Sequence, residues 1–177
     1  MEVINIKFYE NTLNEKLIYT GNYLTITNVN VELPNGKTTN RDIIKHPGAC
    51  AILPFLDNNT IVLIEQFRKP LNQTLLEIPA GKLNKNEDIT LCAKRELQEE
   101  TGYIAKNIEF LGKIATAPGF CDEIIYLFKA TDLTLGEKHC DDDEFTEIKT
   151  FSLDEVKALI KKGEIIDTKT ISILSFL

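Results

Sequence analysis

The chain has 177 residues, enough for one domain with a sizeable core, and its apolar (43%) and charged (27%) shares are those of an ordinary globular protein. A formal net charge of -7 argues against nonspecific binding to nucleic acid or to an anionic membrane. Cys50, Cys92, Cys121 and Cys140 are widely spaced with no CxxC pair, which reads as free thiols in a reducing cytoplasm, and neither a transmembrane-length apolar run nor a signal pattern is present.

In chain order, short strands are predicted at residues 3–9, 15–20, 22–33 and 41–46. Alternation is clearest from Tyr23 to Leu33, and Asn35-Gly36 is a hairpin signal. Residues 49–56 and 60–66 are predicted to form a second hairpin across Asp57-Asn58-Asn59. A strand is predicted at 74–78 and a helix between Glu87 and Thr101, a stretch without Pro or Gly that Gly102 stops. Strands at 107–115 and 123–130 follow. Ser152-Leu153-Asp154-Glu155 has the spacing of a capping box and starts a helix to about Lys162, and a last helix runs from Thr168 to the end. A mixed sheet between helices is the expected α/β arrangement, with residues 1–45 as an N-terminal antiparallel β segment outside a 46–177 core domain.

The helix at 87–101 carries the chemistry. Ile89, Cys92, Ala93 and Leu97 form its apolar stripe. Glu96, Glu99 and Glu100 stand at i, i+3 and i+4 and share one face, where like charges repel. They also fall in the last turns, where the helix dipole disfavours negative charge. A solvated acidic face is the ordinary reading of a Glu-rich helix. Here Arg95 is embedded in the cluster and a Gly and a Glu precede it at set positions, which points to a bound divalent cation. Mg²⁺ or Mn²⁺ favours such hard oxygen ligands.

Gly81, Glu87, Arg95, Glu96, Leu97, Glu99, Glu100, Gly102 and Tyr103 together match every defined position of the Nudix box. The chain is therefore similar to the Nudix hydrolases, and the resemblance implies an α/β/α sandwich with a mixed sheet. It also implies a loop-helix-loop that binds divalent cations and hydrolyses a nucleoside diphosphate linked to another group. The metal ligands it implies are Glu96, Glu99, Glu100 and the Ala80 carbonyl, with Arg95 anchoring the carboxylates and Glu87 positioning Arg95 or the loop.

Outside the box, Val62 to Arg68, Leu76 to Leu83, Ala117 to Glu123 and the acidic run Asp141 to Glu144 resemble the ADP-ribose pyrophosphatase branch. Pro118 stands 15 residues past Tyr103, where that branch carries a marker proline. The implied reaction is Mg²⁺-dependent cleavage of ADP-ribose to AMP and ribose 5-phosphate. The alternatives are another sugar nucleotide such as GDP-mannose, or a Nudix module that binds a nucleotide without cutting it. The resemblance places the catalytic base in the acidic run, with Glu144 as first choice and Asp142 as second. Arg68 reads either as an edge ion pair or as a phosphate contact, the latter suiting a guanidinium in an acidic site. Pro118-Gly119 reads as a turn, or as a turn that with Phe120 and Glu123 presents groups to the substrate. Arg41, the only Arg among the first 67 residues, is a further candidate contact. The branch also implies a homodimer formed through the N-terminal strands.

Overall fold

The structure is a computed structural model that describes residues 7–139 and 145–177. The chain divides into two compact units, one of residues 1–47 with 117–123 and one of residues 48–116 with 124–177.

The first unit is a three-stranded antiparallel sheet, β1 (Asn11–Thr20), β2 (Thr25–Glu32) and β3 (Thr38–Lys45), in that order. The β2–β3 hairpin turns at Asn35-Gly36, where Gly36 takes φ +78°. Alternation in β2 buries Thr27, Val29 and Val31 on one face. The predicted strand at 3–9 differs: residues 7–8 lie in a turn and the strand begins at Asn11. Residues 117–123 fold against the end of β3. Ile44 N–H donates to Phe120 O (2.7 Å), Asp122 N–H to Ile44 O (3.1 Å) and His46 N–H to Asp122 Oδ1 (2.7 Å).

In the second unit, β4 (Ala49–Pro54), β7 (Ala80–Lys82), β8 (Tyr103–Ala115) and β9 (Ile124–Leu135) form a mixed sheet ordered β7-β4-β9-β8. Only the β4–β9 pair is parallel. A second sheet, ordered β10-β5-β6, contains β5 (Thr60–Arg68), β6 (Gln73–Glu77) and β10 (Thr146–Ser152). Strand β4 is buried along its whole length because both faces are covered. Cys50 and Ile52 face Cys92, Ala93 and Leu97 of helix α1 (Ile89–Thr101), together with Phe128 and Ala130. Ala49, Ala51 and Leu53 face Ile61 and Leu63 of the second sheet. Val156 of α2 (Leu153–Lys162) and Ile173 of α3 (Thr168–Ile173) join them.

This layering corrects one expectation. β4 and β5 do not form a hairpin ladder; they belong to different sheets, pack face to face in the core, and are linked through the backbone at the Phe55–Ile61 bridge and by Leu56 N–H to Thr60 O at 2.9 Å. Both strands are apolar runs beside a turn, so local pattern alone does not separate a hairpin from a sheet-to-sheet corner. β7 and β10 lie outside the predicted elements. The capping box forms as expected, with Ser152 and Glu155 bonding each other's backbone, and α2 ends at Gly163 (φ +75°). Residues 174–176 continue α3 as a single 3₁₀ turn. No helix among the described residues is long and apolar enough to cross a membrane.

Candidate active site

Helix α1 starts at Asp88, whose side chain accepts from the N–H groups of Thr90 (2.8 Å) and Leu91 (3.2 Å). It stops at Gly102, in the left-handed region with φ 74°, whose N–H bonds Gln98 O. Within these limits the carboxylates do not share a solvated face. Glu96 is 7% exposed and Glu100 2%, while Glu99 keeps 35% of its side chain in solvent. Glu96 and Glu100 lie one turn apart and point inward beside Ala93 and Leu97.

Arg95 makes that burial tolerable. Its Nε and Nη2 form a two-pronged pair with Glu87 (2.9 Å each), and its Nη1 donates to Glu96 (2.6 Å) and Glu99 (2.8 Å). Nη2 also reaches the Lys82 carbonyl at 3.1 Å, which ties the helix to β7. Glu87 is oriented further by the Asn84 N–H at 2.9 Å. Its pKa falls to about 2, chiefly through the hydrogen bond from Arg95, against the opposing effect of burial and with help from the Asn84 N–H. Arg95 is in turn held more firmly in its charged form, above all by Glu87.

The turn before the helix is built to the same site. The Ala80 N–H donates to Glu100 Oε2 at 2.8 Å. A Cβ added at Gly81 would lie 2.0 Å from the Glu96 carboxylate, so only glycine permits this approach. Two buried carboxylates pressed against the Ala80-Gly81 backbone form a hard-oxygen donor set of the kind a small divalent cation takes. With Arg95 threaded among the side chains, no group of three ligating side chains is gathered around one point among the described residues.

Arg68, at the end of β5, joins this region through β6. Its Nε and Nη2 grip Glu77 with two bonds of 2.7 Å. Three residues separate Glu77 from Gly81, and the chain between them is fixed at each step. Ile78 N–H bonds Thr170 Oγ1 (2.8 Å), Pro79 O accepts from Ile52 (2.9 Å) and Ala80 bonds Glu100. Glu77, Asp167, Lys169 and Thr170 were not singled out by sequence. The available signal was a charged pair of positions inside apolar stretches, Leu76-Glu77-Ile78 and Ile165 to Ile173. Burial would push the Glu77 pKa up, but the Arg68 hydrogen bond and the Lys169 and Arg68 charges outweigh it and hold the carboxyl below its usual range. Removing one partner from such a buried set typically costs about 3–5 kcal/mol.

The remaining candidates fall elsewhere. Arg41, Pro118, Gly119, Phe120 and Glu123 all belong to the first unit. Arg41 pairs with Glu10 through Nη2 (2.6 Å) and Nε (3.1 Å). Pro118, Gly119 and Phe120 form the expected turn, with Phe120 and Cys121 N–H both bonded to Ala117 O, and Phe120 is 55% exposed. Glu123 lies 3.5 Å from His46 Nδ1. Asp142 and Glu144 lie outside the described residues. Their described neighbours are tied to the end of α1: His139 N–H reaches Glu99 O (3.2 Å) and Thr146 Oγ1 reaches Glu100 O (3.5 Å). Lys138 Nζ closes the pair of flanks on Thr146 O (2.9 Å) and Oγ1 (2.8 Å).

A mixed sheet bearing a glycine turn and a helix of buried, arginine-braced carboxylates defines a Nudix-type scaffold. The NUDIX domain model matches residues 45–172, and the chain belongs to that family. It is 44% identical over 96% of its length to the methanol dehydrogenase activator of Bacillus methanolicus, covering 93% of that protein. It is 42% identical over 95% of its length to the ADP-ribose pyrophosphatase of Bacillus subtilis (strain 168), covering 92% of it. A crystal structure of an ADP compounds hydrolase shares the fold, with a TM-score of 0.83 at 22% identity over 94% of this chain and 91% of that one.

Two outcomes follow from this geometry. In Gly81→Ala the new Cβ displaces the buried, Arg95-braced Glu96 carboxylate, and the protein still folds but loses about 1–3 kcal/mol, as for an overpacked site. Its turnover falls about 100-fold, the scale of a misplacement of an ångström or so at the reacting centre. Paired thermal melts and rate assays read the two effects separately. Glu87 has a folded pKa near 2 against an ordinary value of 4.5. Its contribution is therefore complete above about pH 4.5 and is lost as pH falls toward 2. Glu87→Gln lowers stability at pH 7 by about 1 kcal/mol, as for a partly exposed pair. Denaturant titrations across that range will show the gap to wild type closing as the solution becomes acid.

Proposed function

We propose that this chain hydrolyses the pyrophosphate bond of ADP-ribose, or of a closely related nucleoside diphosphate sugar, giving AMP and ribose 5-phosphate. The chain is a Nudix pyrophosphatase, and the observation that carries the substrate is the 42% identity, along nearly the whole of both chains, to a protein named ADP-ribose pyrophosphatase. The intact box weighs against a non-catalytic binding module, since Glu96 and Glu99 are bonded to Arg95 and Glu100 to the Ala80 N–H. Cleavage of GDP-mannose keeps the same box chemistry with a different pocket.

The residues that would hold divalent cations, Mg²⁺ first and Mn²⁺ second, are Glu96, Glu99, Glu100 and the Ala80 carbonyl. Cations bound there supply charge neutralisation of the pyrophosphate and a more acidic water nucleophile. Arg95 keeps Glu87, Glu96 and Glu99 aligned. Arg68 offers the Nη1 edge, which Glu77 does not engage, to a phosphate oxygen; 37% of this side chain is exposed. Arg41, Pro118, Gly119, Phe120 and Glu123 are further candidate substrate contacts in our reading. Glu144, or Asp142 in its place, takes the proton of the attacking water. The ties from the flanks of that acidic run to Glu99 and Glu100 support this choice.

We assign residues 46–177 to the hydrolase domain and residues 1–45 to a segment that forms a homodimer. β1 is an edge strand exposed at every residue, and it carries Leu13, Leu17, Ile18 and Tyr19, each more than half exposed. The free thiols Cys50, Cys92 and Cys121 accord with a cytoplasmic site of action.

A panel of nucleoside diphosphate sugars with Mg²⁺, read by a phosphatase acting on the released monophosphates, tests the reaction. ADP-ribose is the preferred substrate, and Glu100→Gln lowers kcat by at least about 100-fold while the protein remains folded, as Gln still accepts from the Ala80 N–H. Preference for GDP-mannose would transfer the assignment to that sugar. Tight nucleotide binding without hydrolysis would make the chain a binding module. Sedimentation of a chain lacking residues 1–40 tests the assembly, because an intact dimer of that form would exclude the N-terminal interface.

A further inference from the structure

Arg68 does not fix its own position. Both bonds that orient its guanidinium end on Glu77, a carboxylate only 1% exposed. Glu77 is also held by Lys169, whose Nζ donates to Glu77 Oε2, the oxygen that Arg68 Nη2 shares, and, at 3.1 Å, to Asp167 Oδ1. Lys169 is itself buried, at 7% exposure. Asp167 is fixed by capping α3, accepting from Thr170 N–H (2.9 Å) and Thr170 Oγ1 (2.6 Å). That hydroxyl in turn accepts from the Ile78 N–H. One short segment, Asp167 to Thr170, thus grips two successive residues of the chain that leads into the Ala80-Gly81 turn.

A buried Lys is an expensive way to fill space, since an apolar side chain of similar volume would carry no desolvation cost. Lys169 adds a fixed positive charge that keeps Glu77 ionised and immobile. The network also does not close on itself within the core. It ends on Arg68, which is 37% exposed. Without Lys169, Glu77 would be left with one cation, and either protonation of the carboxyl or a closer pull on Arg68 would change how the guanidinium is presented.

We propose that Lys169, acting through Glu77, is a positioning residue for Arg68, holding that guanidinium in place for an anionic phosphate group of the substrate. The inference rests on the assignment of Arg68 to substrate binding. Its test compares Arg68→Met, Lys169→Met and the double variant in the full-length protein with ADP-ribose and saturating Mg²⁺. Each single change raises KM by about tenfold or more, the scale of one charged hydrogen bond. In Lys169→Met kcat stays within about threefold of wild type, and the double variant has the KM of Arg68→Met alone, because coupled residues do not add. A purely structural lysine would lower the melting temperature and the active fraction but leave KM unchanged. An unaltered kcat/KM in Arg68→Met would remove the substrate role of Arg68 and this inference with it. A damaged Arg68→Met beside an unaltered KM in Lys169→Met, or multiplied effects in the double variant, would overturn the inference alone. If Lys169→Met does not fold, Glu77→Gln takes its place, with the same raised KM expected and an unchanged KM again decisive against the proposal.

Discussion

The second unit is organised around an electrostatic problem: Glu87, Glu96, Glu99 and Glu100 are concentrated within one loop and helix, and two of them are buried. Arg95 is the resident answer. Its five donors reach three of these carboxylates and the Lys82 carbonyl. A lysine could not do this, since a single ammonium lacks the planar fork that engages Glu87 on one edge and Glu96 with Glu99 on another. The site is therefore charged but pre-organised. The carboxylates are aligned by the fold, and a divalent cation added to them would have little side-chain entropy left to remove.

Burial gives this arrangement its rigidity. Glu96 and Glu100 share their side of α1 with Ala93 and Leu97, so the packing that anchors the helix to β4 and β9 also sets the carboxylates. The turn residues meet them from the opposite direction, Ala80 by its N–H and Gly81 by lacking a side chain. Core and site are thus one construction, and a change that loosens α1 against β4 also moves the metal-ligating candidates. The cost is local. Negative charge near a helix C-terminus is unfavourable, and the bonds from His139 and Thr146 to the last-turn carbonyls satisfy acceptors that the helix leaves open.

Much of this was legible in the sequence because it depends on short-range rules. The span of α1, its stop at Gly102, the Asn35-Gly36 turn and the Ser152 capping box all arise from residues within a few positions of one another. The box carried the family because its spacing is itself local. Two kinds of feature were not legible. The burial of Glu96 and Glu100 is one, since helical periodicity identifies a shared face but not how wide the buried arc is; the Ala80-Gly81 turn widens it by covering that side. The separation of β4 from β5 was hidden because β4 finds its partners at residues 80–82 and 125–130. The Glu77–Lys169 pair bridges 92 positions and has no sequence period at all.

That long bridge bears on how specificity and chemistry are divided in this chain. The box positions its carboxylates through one helix and the turn before it, and so can be kept while the pocket changes. Arg68 is positioned through a different route, from β5 to Glu77 and on to the start of α3, whose residues lie outside the box. The two routes meet in the four residues from Glu77 to Ala80, whose backbone or side chains are bonded on both sides, and the Glu100 charge also acts on Arg68. Substitutions in the α3 segment should therefore alter how the Arg68 guanidinium is held while leaving the bonds of Arg95 to its glutamates in place. On our assignment of Arg68 to the substrate, a scaffold wired in this way can change what it recognises by altering residues 167–170 and their partners, while Arg95 and its glutamates remain as they are.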